Sequence, residues 1–457
     1  MGDIDGMARR REQIRQALRE APLAALREML PDSEILRACA EAGHRYRSRL
    51  YDPVVTVFHV LLQAIQREES FAATWQEVWS LVAGELGMAG RSFNSSALSQ
   101  ARSRLPKAVL DKLVRAACDF DEECFSRWRG MRLLALDGTT VSMPRERALF
   151  DRFGAHKART TTVRYPLGTF CSLLAVGSSL VVDHRFGPFD PGESATATPL
   201  LDNIGRGDLL LADRGFAGSP TFARVYARGA DFLMRKNARL IASRLPVIRR
   251  LGRDDFITEI AMCKPARKLD PSLPEKVRFR IFRASWKAPF GKKVTDWFVT
   301  SLPDPRRFKK RTLAKLYHER WRIETSYEEF KVTFHADVLR SKTVPNVEKE
   351  MAAHVLAYQL VRRLVVAAAK KHRKKPAEIS FLNAARWVLA FSSRMSVAAA
   401  WRLPAMYDRL LDAIASTEVD IRPGRIEPRA LTREWKHYPH LRMTRAEWRE
   451  RRLQEVA

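Results

Sequence analysis

Cysteine is scarce and poorly spaced for pairing in this 457-residue chain: Cys39, Cys118, Cys124, Cys171 and Cys263 are scattered, odd in number and include no CxxC pair. That pattern excludes a disulfide framework and a cysteine-built zinc site, and it fits a reducing cytoplasm. Long apolar runs are missing too. No 18 uninterrupted apolar residues occur, and residues 1–20 make a charged, helix-like start without the apolar centre of a secretory leader. Neither secretion nor a membrane span is therefore expected. Internal repeats are absent. Acidic residues are in deficit, 52 Asp plus Glu against 81 Lys plus Arg, and the resulting +29 is spread along the chain rather than gathered in one arm. A long polyanion, nucleic acid above all, is the partner such a charge implies; the bland alternative is a merely basic protein.

What is present is globular. A hydrophobic content of 46% suffices for a sizeable core. Residues 1–125 lack strand signals and read as a helical, DNA-binding domain: LAALREML, SEILRACAEAG, VVTVFHVLLQAIQ, TWQEVWSLVAGEL and AVLDKLVRAACDF each carry helical periodicity. Within it, RSFNSSALSQARSRLP joins a Ser/Asn capping stretch to a short helix bearing Gln100, Arg102 and Arg104, as the second helix of a helix-turn-helix would, or an ordinary basic helix. From 131 the texture changes to short apolar runs bounded by turns: MRLLALDGTTVSM, TFCSLLAVGSSLVVDHRFG, GDLLLADRGFAG and ADFLMRKN. These predict strands of a buried sheet, with a helix at 219–229. Residues 126–235 thus form the first part of an α/β core, and 236–303 a more exposed antiparallel β segment. Residues 304–345 return a core helix, and 346–457 are helical again, with a basic KKHRKK linker and a Pro-dotted tail.

Three carboxylates stand out. Asp137 and Asp213 each end an apolar run and have glycine one or two residues on, as at Asp-Gly turns or in a metal site built on a rigid sheet. Glu324 lies in YHERWRIETSYEEFK, where positions 0, 3, 7 and 14 of a helix fall at about 0, 300, 340 and 320 degrees. Tyr317, Arg320, Glu324 and Lys331 would then share one stripe, beside a buried stripe of Leu316, Ile323, Tyr327, Phe330 and Phe334. A solvated amphipathic helix with i,i+4 charge pairs has the same pattern. Two strand-end aspartates and a helical glutamate, all oxygen donors, suit two Mg²⁺ or Mn²⁺ ions about 4 Å apart and hence phosphodiester chemistry.

The order DGT, DRGF and Y-(2)-R-(3)-E-(6)-K resembles the DDE transposases of bacterial insertion sequences, specifically the insertion element four family, and GHRYRSRLYDPVVTVFHVLL is similar to that family's N-terminal domain. The resemblance implies a ribonuclease-H-like mixed-sheet catalytic core with a β-rich insertion in the 110 residues between Asp213 and Glu324, flanked by N-terminal and C-terminal helical domains. It implies that Asp137, Asp213 and Glu324 hold two Mg²⁺ (or Mn²⁺) ions. Tyr317, Arg320 and Lys331 would hold phosphates of the transposon end, and the partner would be double-stranded DNA, both element ends and target. Arg214 and Arg235 are further phosphate candidates. Relatives can cut through a hairpin while an aromatic residue holds a flipped base, for which Trp297 and Trp321 are the candidates. The implied protein cleaves its inverted repeats and joins 3′-hydroxyls to target, as a homodimer in a bacterial cytoplasm, near the nucleoid. A catalytically inert DNA-binding relic and a domesticated nuclease are the competing readings. The C-terminal helices are the expected dimer surface unless their apolar faces are buried within the monomer.

Overall fold

The structure, a computed structural model, describes residues 22–47, 50–66, 71–85, 95–155, 165–287 and 293–419, with isolated positions nearer the termini. The tail after 419 lies largely outside them. A mixed sheet of ten strands forms its centre, in the order β4-β3-β2-β5-β6-β10-β9-β8-β7, with the two-residue strand β1 (Arg127–Trp128) pairing on β2. The strands nearest the middle are β2 (Met131–Ser142), β5 (Asp208–Ala212) and β6 (Asp231–Arg235), which run parallel to one another. On one side, β3 (Leu167–Ala175) and β4 (Leu180–Pro188) continue the sheet antiparallel from β2. On the other, β10 (Lys293–Thr300) pairs antiparallel with β6 and leads to β9 (Lys276–Lys287), β8 (Asp255–Ala261) and β7 (Arg249–Gly252). The β segment expected at 236–303 is therefore antiparallel, but it extends the central sheet rather than standing apart from it.

The apolar runs obey the period of two. Leu133, Ala135, Leu209, Leu211 and Leu233 enter one core, while Leu134, Leu136, Leu210, Ala212, Phe232 and Met234 enter another on the opposite face. A helix at Ser219–Ala227 and a 3₁₀ turn at Thr198–Asn203 cover the second face through Phe222, Val225, Leu200 and Leu201. The first face carries a helical body that joins the two ends of the chain. Its members include α1 (Asp32–Glu41), α2 (Pro53–Ile65), α3 (Phe71–Glu85), α4 (Ser95–Arg104) and α5 (Lys107–Cys118) from the N-terminal region. From the C-terminal region come Val344–Lys371, Phe381–Met395 and Leu403–Ala415. The 28-residue helix Val344–Lys371 is apolar and long enough to span a membrane, yet it packs on α2, α5 and the last helix, with Leu356, Leu360 and Leu364 fully buried. Its apolar face is occupied inside the monomer. Gln359 on that helix accepts from the Val181 N–H at 2.9 Å and donates to the Ala117 and Val181 carbonyls, tying the helical body to edge strand β4.

Two local expectations change. LAALREML makes only a 3₁₀ turn, Ala24–Leu26, because Leu23 takes a left-handed backbone conformation that interrupts an α-helix. The helix through YHERWRIETSYEEFK is also not continuous: an α segment ends at Tyr317, His318–Arg320 is 3₁₀, and an α segment resumes at Trp321–Phe334. The buried stripe survives, with Leu316, Ile323, Tyr327, Phe330 and Phe334 all in the core. The tighter turn re-aims Arg320 relative to Glu324.

Candidate active site

Register places the two aspartates together. Leu136 of β2 lies beside Ala212 of β5, so Asp137 and Asp213 are the next residues along two adjacent parallel strands, which run roughly 4.8 Å apart. The alternation that sends Leu133 and Ala135, or Leu209 and Leu211, to the helical face sends both aspartates the same way. Arg235, one step after Met234, which pairs with Ala212, shares that parity on β6. The parallel β2–β5 pair is locked at its other end by Arg132, which donates to both oxygens of buried Asp208 at 2.6 and 2.9 Å.

The glutamate helix, Trp321–Phe334, is fastened to this end by one phenol. The Tyr327 hydroxyl donates to the Asp137 carbonyl at 2.7 Å and accepts from the Ser172 N–H at 3.1 Å, with the Ser172 Oγ 2.9 Å away. Phe330 stacks on Phe170 of β3, 5.3 Å between centroids. Glu324 is thereby held over the strand ends. Between the carboxylates lies Arg320: one terminal nitrogen donates to Asp137 Oδ2 at 3.2 Å, and the other donates to Glu324 Oε1. One guanidinium bridges two of the three carboxylates. Those carboxylates raise the Arg320 pKa against the opposing effect of burial. Among the described residues, no three acidic, histidine or cysteine side chains are close enough together to hold an ion in this arrangement.

Asp137 is the most perturbed member. Burial, reinforced by Asp213 and Glu193, pushes its pKa up to about 6 despite the Gly138 N–H and Arg320. Asp213 is half-buried and accepts the Gly215 N–H at 2.6 Å, which orders the DRG turn. Sequence reasoning missed Glu193. It begins a short helix, Glu193–Ala197, on the other face of the sheet, and its side chain lies against Gly138. A Cβ on Gly138 would come within 2.8 Å of Glu193 Cγ and 3.0 Å of Cys171 Sγ. The glycine of DGT therefore makes room for a carboxylate instead of forming a turn; it lies within β2. Burial and Asp213 raise the Glu193 pKa, and Lys331 opposes them. No pattern in the sequence announces this residue, which comes to the site through long-range packing alone.

The cations fall in three groups. Lys331 is partly exposed on the glutamate helix. Arg214 is exposed in the turn after Asp213, while Arg235 is half-buried and paired with Asp296, Nε to Oδ2 2.8 Å. Tyr317 is only 5% exposed: its ring packs edge-on against Phe298 and under Arg320, and burial pushes its hydroxyl up to about 12. That places it as a support for Arg320. Trp297 is half-buried, edge-on to Phe256, whereas Trp321 is 58% exposed at the start of the glutamate helix. In the N-terminal region, Arg102 points inward. It bonds Ser341, lies 4.0 Å from Glu350, and its carbonyl accepts from buried Lys349, so it is unavailable to read bases in this arrangement. Gln100 and Arg104 face outward.

Paired acids at adjacent parallel strand ends thus lie beside a glutamate-bearing helix, with arginine and lysine around them. Residues 128–360 match the family model described as "Transposase DDE domain". The chain is 27% identical over 432 residues to "Transposase InsG for insertion sequence element IS4" of Escherichia coli (strain K12), covering 91% of this chain and 93% of that protein. The chain belongs to the DDE transposases, and among them to the family of IS4. A looser likeness, TM-score 0.45 at 11% identity over 86% of this chain and 85% of the other, relates it to the "Cryo-EM structure of piggyBac transposase synaptic complex with hairpin DNA (SNHP)".

Proposed function

We propose that this transposase cuts DNA at the ends of its own element and joins the freed 3′-hydroxyls to target DNA, with Asp137, Asp213 and Glu324 as the metal-holding carboxylates of a ribonuclease-H-like core. The observation that carries the reading is the convergence of Asp137 and Glu324 on one shared cation beside Asp213. The donor set fits Mg²⁺ or Mn²⁺: it is oxygen-only, burial with Asp213 and Glu193 nearby raises the Asp137 pKa, and it already holds a positive group between two acids. When bound, a pair of such ions activates the attacking oxygen and offsets charge on the leaving one.

The chain's own residues prepare the site. In the DNA-free protein Arg320 pairs with both Asp137 and Glu324. A phosphate of the element end competes for the same guanidinium, and its transfer to the phosphate frees both acids. Tyr317 keeps the guanidinium in reach through its ring. Lys331, on the face of the helix that bears Glu324, offers a point charge to the next phosphate, and Arg214 and Arg235 flank Asp213. Cleavage breaks the bond from phosphorus to the 3′-oxygen as a water oxygen attacks. Strand transfer uses the freed 3′-hydroxyl as nucleophile and releases a 3′-oxygen of the target. Exposed Trp321 suits contact with an unpaired base better than Trp297, which is partly committed to the core. Two ends handled together call for two copies of the chain, and since the Val344–Lys371 helix is buried, the dimer surface lies elsewhere.

Asp137→Asn, Asp213→Asn and Glu324→Gln should each bind a labelled element-end duplex while losing Mg²⁺-dependent nicking by roughly 10³-fold or more. Wild-type nicking in any one of them removes that residue from the site. Loss of metal-dependent nicking from the wild type itself favours the inert relic, and nicking without strand transfer favours a nuclease.

A further inference from the structure

Tyr327 lies three residues beyond Glu324 on the glutamate helix, so the two are neighbours on successive turns, and its ring is buried. Its hydroxyl meets the sheet at one particular pair of residues. Asp137 of β2 and Ser172 of β3 are directly opposite one another, and the phenol oxygen bridges their backbones, donating to the Asp137 carbonyl at 2.7 Å and accepting from the Ser172 N–H at 3.1 Å. The Ser172 Oγ lies 2.9 Å from the same oxygen. The ring is held edge-on to Phe170, 6.1 Å between centroids. Other anchors of this helix lead elsewhere: Glu329 pairs with Arg362 of the helix Val344–Lys371, and Phe330 stacks on Phe170 of β3. Packing alone needs no hydroxyl at position 327. A hydroxyl buried at this depth costs free energy unless it is hydrogen-bonded, and the bonds it makes fall on the first aspartate and on that residue's cross-strand partner.

We infer that Tyr327 is a positioning residue for DNA cutting: by bridging the backbones of Asp137 and Ser172 it sets where the Glu324 carboxylate stands relative to that of Asp137, and through that spacing how tightly the pair takes a divalent cation. The phenol contacts the Asp137 carbonyl, so the carboxylate itself stays available to Arg320 or to an ion. Successive turns of one helix carry the phenol and Glu324, so a shift of the first is passed to the second without an intervening joint. Groups that hold the ligands of a metal, rather than the metal, act on its affinity in this way. The inference rests on the reading of Asp137, Asp213 and Glu324 as metal-holding carboxylates.

The test is Mn²⁺ binding to the full chain without DNA, followed by loss of the free-ion electron paramagnetic resonance signal. Tyr327→Phe keeps the ring and removes the hydroxyl, and it should weaken Mn²⁺ binding roughly 10- to 100-fold. Tyr358→Phe is the matched control: it deletes another buried phenol, whose hydroxyl donates to the Ser179 carbonyl at 2.9 Å in the turn between β3 and β4. It should lower the melting temperature and leave the Mn²⁺ affinity at the wild-type value. In nicking assays Tyr327→Phe should need more metal for its half-maximal rate and recover most of the wild-type rate at saturating Mn²⁺. In metal-free buffer it should bind a labelled element-end duplex as the wild type does. Ser172→Ala, which removes only the Oγ contact, should weaken Mn²⁺ binding in the same direction and by less; it decides the matter if Tyr327→Phe does not fold. Unchanged Mn²⁺ affinity in the folded variants overturns the inference, as do equal losses in Tyr327→Phe and Tyr358→Phe. A wild type that binds no Mn²⁺, or binding that survives in both Asp137→Asn and Glu324→Gln, overturns the reading of the carboxylates instead.

Discussion

Arg280 in the sheet and Arg320 in the turn before the glutamate helix both face carboxylates, and they are built to opposite ends. In the antiparallel half, Arg280 of β9 and Asp255 of β8 form a closed pair: Nε to Oδ1 2.8 Å, Nη2 to Oδ2 2.7 Å, and the remaining nitrogen on the Phe308 carbonyl at 2.8 Å, all fully buried. All three guanidinium nitrogens and both carboxylate oxygens there have a partner. At the parallel strand ends, Arg320 divides itself between Asp137 and Glu324, beside Asp213 and Glu193. The first arrangement holds a fold. The second leaves more negative charge than its arginine balances, and that surplus favours cations.

The comparison can be broken from its stable side first. Asp255→Ala should cost about 3–5 kcal/mol, because it strands a buried guanidinium, read as a lowered denaturation midpoint at constant slope. A loss below about 1 kcal/mol would show that the antiparallel half tolerates the open charge. On the other side the sign reverses. The Asp137 pKa is raised to about 6, so its ionised form opposes folding above that pH, and the penalty vanishes below the unfolded value near 4. Asp137→Asn should therefore stabilise the metal-free protein by ~2 kcal/mol at pH 7 and by nothing at pH 4. An equal effect at both pH values contradicts the assignment of the cost to ionisation. Mn²⁺ should raise the wild-type melting temperature and leave that of Asp137→Asn nearly unmoved, since ligands stabilise only the state that binds them. The smallest effect is expected outside both arginine sites: Lys331→Ala should reduce the salt slope of DNA binding by about 0.9 without altering stability.

The parts of this site that were legible in the sequence are those fixed by local periodicity. Apolar runs ending in Asp137 and Asp213 gave strands, and a helical stripe from Leu316 to Phe334 gave the seat of Glu324. What stayed hidden depends on partners far along the chain. His318–Arg320 contains neither glycine nor proline, so nothing local marks the 3₁₀ turn. Arg102 looks like any basic residue on an exposed helix until Ser341 and Lys349, some 240 positions later, fold over it. Glu193 reaches the aspartates only because Gly138 has no side chain, and Tyr327, read as a core aromatic, carries its one polar atom to the Asp137 backbone.

That phenol has a mechanical result. Because Tyr327 grips the Asp137 carbonyl and Ser172 at once, the glutamate helix and the first aspartate strand travel as one piece, like jaws cast from a single block. Moving one without the other would break those hydrogen bonds.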